Sequence, residues 1–96
     1  MTQQIVVNTQ NSETMRPILR SALHRELKLL EQGIRRTLMH LASFEKQYNM
    51  GTDEFLPRFN KDDLGETPDF IDWYGETKML ASLYEQKKAI EETVVP

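Results

Sequence analysis

Between Ala22 and Met50 the apolar side chains return at alternating steps of four and three: Leu23, Leu27, Leu30, Ile34, Thr37, Leu41, Phe44 and Tyr48. Only Thr37 is out of character in a run of more than three heptads. This spacing keeps every member on one side of an α-helix, so the stretch reads as a single rod with a continuous apolar seam. Water cannot satisfy such a seam, and another part of the chain or a second chain must cover it.

The flanking residues set the limits of the rod. Thr14 is suited to cap the N-terminus through its hydroxyl, and Pro17 then falls at the third helical position, where no intrahelical donor is lost. Gly33 sits inside the pattern and costs up to about 1 kcal/mol relative to alanine. The register runs unbroken across it, which marks Gly33 as a point of close packing and not as a turn. Gly51, after Asn49 and Met50, supplies a left-handed C-cap. The helix therefore spans about residues 15–50, roughly 52 Å at 1.5 Å per residue.

Thr52 opens a shorter segment with Asp53 and Glu54 in its first turn, a placement that favours the positive end of a helix dipole. Pro57 limits any helix there to one turn or bends it. Phe55, Leu56, Phe59 and Leu64 are large apolar residues in this connector, expected to plug the closed end of a hairpin, and Gly65 lets the chain reverse. Thr67 and Pro68 then form a second cap and first-turn proline. A second long helix over about 68–92 follows, with Phe70, Trp73, Tyr74, Thr77, Leu80, Leu83, Tyr84 and Ile90 on its inner face.

The expected fold class is all-α: an antiparallel hairpin of two long helices with a short helical connector over 51–67, forming a domain over 14–96. Its core is expected at Leu23, Leu27, Leu30, Ile34, Leu41, Phe44, Tyr48, Phe59, Phe70, Trp73, Leu80 and Tyr84. Residues 1–13 form an N-terminal arm whose β-branched centre, Ile5, Val6 and Val7, suits a short strand. One strand has no pairing partner within this chain, so the arm pairs with a copy of itself, adds to a partner's sheet edge, or stays loose. The second helix, at about 37 Å, is shorter than the first. Ile18, Leu19 and Leu23 would then overhang uncovered, while Leu29, Leu38 and Met39 lie off the seam. This surplus apolar surface points to a homodimer, by default through four helices, or to another protein partner.

Ninety-six residues make one domain, and a chain this short buries a modest share of its surface. The absence of cysteine removes disulfides and thiolate metal sites, and no apolar run reaches membrane-spanning length or resembles a signal peptide, so a cytoplasmic location is expected. The net charge of −3 conceals a division: residues 1–48 carry seven basic and four acidic side chains, residues 49–96 five and eleven. The halves thus stand at +3 and −6, and antiparallel folding sets these opposite fields side by side.

Chemistry is sparse. His24 and His40, sixteen residues apart on one helix, stand more than about 20 Å from each other and cannot share a metal within one chain. The stretch 60–71 fails as a calcium loop, since Leu64 and Ile71 occupy positions where oxygen ligands belong. Asp69, Asp72 and Glu76 share a helix face and could in principle hold magnesium, but such a row also serves a helix N-terminus by itself. With no phosphate loop, catalytic triad or cysteine nucleophile, neither enzymatic activity nor a cofactor is expected. Arg16, Arg20, His24 and Lys28 form a basic row, with Arg35 and Arg36 further on, a weak candidate for contact with nucleic acid. A ribbon-helix-helix repressor with its turn at Gly33, or a purely structural dimerising scaffold, are the alternative readings.

Four motifs carry a resemblance: Tyr48-Asn49-Met50-Gly51-Thr52-Asp53-Glu54-Phe55, then Arg58-Phe59, then Leu64-Gly65-Glu66, then Asp69-Phe70-Ile71-Asp72-Trp73. Over residues 20–92 the chain resembles small helical-hairpin proteins of bacteria and archaea, many of them similar to the antitoxin member of toxin-antitoxin pairs. The resemblance implies a protein that binds and neutralises a small cytoplasmic toxin. Ile5, Val6 and Val7 of the arm, or the acidic face of Asp62, Asp63, Glu66, Asp69 and Asp72, would make the contact, the acids by occupying a basic substrate groove.

Overall fold

The computed structural model describes residues 12–94, which form three helices: α1 (Ser12–Tyr48), α2 (Thr52–Asn60) and α3 (Pro68–Val94). The expected strand-like arm at Ile5, Val6 and Val7 lies outside the described residues. α1 and α3 pack along each other, and the pairs Tyr48 with Asp69, Phe44 with Trp73, His40 with Glu76 and Gly33 with Leu83 fix their relative direction. Residue numbers in these pairs sum to 116 or 117, so the helices are antiparallel and keep one register from Gly33 to Tyr48. The principal extents of 58, 25 and 21 Å are those of a rod.

α1 is unbroken through Gly33, as the heptad register requires. A Cβ built on Gly33 would stand 3.4 Å from Leu83 Cδ1, so this is the close approach of the two helices. The turn that a ribbon-helix-helix arrangement places here does not exist. At its N-terminal end the helix already includes Ser12, so Thr14 is not the cap and Pro17 is the sixth residue of α1 instead of the third. The carbonyl of Glu13, four residues back, forfeits its intrahelical donor, and both residues are exposed to water.

The connector corrects two expectations. The left-handed residue that ends α1 is Asn49, at φ 50°, and not Gly51. The Met50 N–H returns to the Glu45 carbonyl at 3.1 Å, the six-to-one bond of a Schellman closure. Gly51 is extended, at φ −71° and ψ 154°, and serves as the N-cap of α2. α2 also continues past Pro57 to nine residues. Pro57 is exposed, as is Asp53, whose carbonyl it deprives of a donor, so solvent can take the place of the missing bond. Gly65, at φ 76°, makes the reversal before α3. Thr67 caps that helix as expected: its Oγ1 accepts from the Phe70 N–H at 3.1 Å, with Pro68 as the first helical residue.

Burial is concentrated along one line. Leu30, Ile34, Thr37 and Leu41 of α1 are buried, and Phe55 and Trp73 are fully so at the closed end. Phe44, Tyr48, Phe59, Phe70 and Leu80 pack against that end. Leu23 and Leu27 are half-buried, and Leu23 is therefore not uncovered as expected. The shared register brings Val94 level with Leu23, so α3 reaches far enough to shelter it. Tyr84, expected in the core, is 47% exposed. Its neighbour Leu83 takes the inward position against Gly33, and a side chain one residue on is turned by about 100° around the helix.

Candidate interaction surface

The closed end of the hairpin is an aromatic cluster. Trp73 stacks on Phe55 with ring centroids 4.0 Å apart and planes 1° from parallel, and on Phe44 at 5.5 Å and 9°. Tyr48 and Phe70 meet at 5.0 Å, and Phe59 meets Tyr74 at 5.3 Å. Seven of the chain's eight aromatic residues take part, leaving out Tyr84 alone. The polar edge of the indole is satisfied as well: Trp73 Nε1 donates to Thr52 Oγ1 at 3.0 Å, tying α3 to the first residue of α2. Thr52 N in turn donates to the Glu45 carboxylate of α1 at 2.7 Å. All three helices are thus joined through one threonine.

The acidic row of α3 has a different role from those weighed in the sequence. Asp69 Oδ2 accepts from the Tyr48 hydroxyl and from Gln47 Nε2 at 3.3 Å, and Glu76 Oε1 lies 3.0 Å from His40 Nδ1. Two of the three carboxylates therefore fasten α3 to α1, and Asp72 alone is exposed with no such partner among the described residues. The Tyr48 phenol is held above its ordinary pKa, first by the hydrogen bond it donates to Asp69, then by burial and by the carboxylate's charge. Among the described residues no group of three or more histidine, aspartate and glutamate side chains could hold a metal ion.

Around this cluster the charge is strongly negative. Residues 45–76 carry nine acidic and three basic side chains, a balance of −6. Of the acids expected to meet a partner, Asp62, Asp63, Glu66 and Asp72 are exposed. Asp63 Oδ2 is engaged by Arg58 Nε at 3.1 Å, and Asp69 is half-buried beneath Tyr48 and Gln47. Asp62 lies in the turn after α2 with a positive φ, 58°. Of these five acids, Asp62, Glu66 and Asp72 have no side-chain hydrogen bond or ion pair among the described residues.

The other end is of mixed sign, with exposed Glu91 and Glu92 of α3 near the basic row of α1. Arg16, Arg20, His24 and Lys28 are all exposed along α1. Residues 12 to about 22 extend past the level of Val94, a length of about 16 Å, and there Ile18 and Leu19 are 55% and 36% exposed. Leu29, Leu38 and Met39 are exposed too, in agreement with their positions off the seam. Sequence reasoning missed the exposed Ile71 and Met79 of α3, which a wheel drawn on the inner face alone could have flagged. It also missed the His40–Glu76 and Tyr48–Asp69 pairs, for which only the antiparallel register supplies a signal. No helix among the described residues is long and apolar enough to cross a membrane.

Comparisons with family models, with curated proteins and with solved structures give no match to this chain.

Proposed function

We propose that the protein is an interaction module, an antitoxin-like partner of a small cytoplasmic toxin, which it engages through the acidic closed end of the hairpin. The observation that carries this reading is the concentration of exposed carboxylates, Asp62, Glu66 and Asp72, around an end made rigid by the Trp73 cluster. A rigid, strongly negative surface of this kind steers a basic partner and fixes its orientation at little further entropic cost. A ribonuclease-like toxin with a basic groove is such a partner. Dimerisation belongs to the same proposal, since Ile18, Leu29 and Met39 leave apolar area in water.

The test is co-expression with the product of the neighbouring reading frame. Co-purification and rescue of growth, both lost on Asp62→Lys with Glu66→Lys, are the expected result. A neighbour that is harmless when expressed without this chain, or that co-purifies equally well with the charge-reversed variant, would overturn the reading. Salt-sensitive binding to duplex DNA that weakens on Arg16→Ala and Arg20→Ala would instead favour a repressor, with Lys28 as a further phosphate contact.

A further inference from the structure

We draw no further inference here: the strongest candidate, the surface patch of exposed Leu29 on α1 and exposed Met79 on α3 beside the close approach of Gly33 and Leu83, is flanked by charges of both signs, Glu26, Arg36 and Glu76 among them, and nothing in the structure shows what covers it.

Discussion

The indole of Trp73 and the ring of Phe55 lie parallel within 1° at a centroid separation of 4.0 Å, and both side chains are fully buried. This contact fixes α2 on the hairpin, because Phe55 is the single fully buried residue of that helix. Removing a buried phenylalanine forfeits its transfer free energy and opens a cavity, together about 3–5 kcal/mol. A small domain has only about 5–15 kcal/mol to lose. Phe55→Ala is therefore expected to bring the chain close to unfolding at 37 °C. Urea titrations should show the lower midpoint, and the single tryptophan should emit further to the red in the native baseline.

The two helical glycines of the long helices differ in their surroundings, and substitution separates them. A Cβ at Gly75 meets nothing within 4 Å, so Gly75→Ala is expected to stabilise by up to about 1 kcal/mol through helix propensity alone. At Gly33 the methyl of alanine reaches ordinary contact with Leu83, while the branched side chain of leucine would force the helices apart. Gly33→Leu should cost about 1–3 kcal/mol, the range of overpacked cores. Thermal unfolding of the two variants beside the parent checks both signs.

Tyr48 gives the chain a dependence on alkaline pH. Its folded pKa is raised above the ordinary value of 10.0 because the neutral phenol donates to Asp69, and ionisation would set two negative charges against each other. The group is an acid whose protonated form is favoured on folding. Its contribution is fully present below the unfolded pKa and is lost as pH climbs through the raised one. Stability measured by urea should thus fall as pH climbs above about 10 in the parent and fall less steeply in Tyr48→Phe. A spectrophotometric titration of the parent should show a late-ionising phenol that is missing from Tyr48→Phe.

Asn49 closes α1 in the left-handed region, which glycine enters freely and β-branched residues avoid. Asn49→Gly should be neutral within about 0.5 kcal/mol, and Asn49→Val should cost about 1–2 kcal/mol. If the two unfold alike in calorimetry, the Schellman closure through Met50 N–H is not what ends the helix.

The heptad from Leu23 to Tyr48 determined the continuous first helix, and the Thr67-Pro68 pair determined where the second begins, since helical periodicity and capping are local properties that act over a few residues. The antiparallel hairpin followed from the need of one seam for another. The position of Asn49 was harder to read because glycine two residues on offers the same left-handed freedom, and the sequence does not say which of them uses it. Pro57 inside α2 was misread for a related reason: the penalty depends on whether the deprived carbonyl reaches water, and that is decided by where the helix sits. Only the tertiary structure placed Asp69 under Tyr48 and Gln47, joined Glu76 to His40, and put Tyr84 outside while Leu83 stayed inside. Those outcomes depend on how two rods are rotated and slid against each other. Local spacing constrains that rotation only to within a residue or so, and one residue moves a side chain about 100° around its helix.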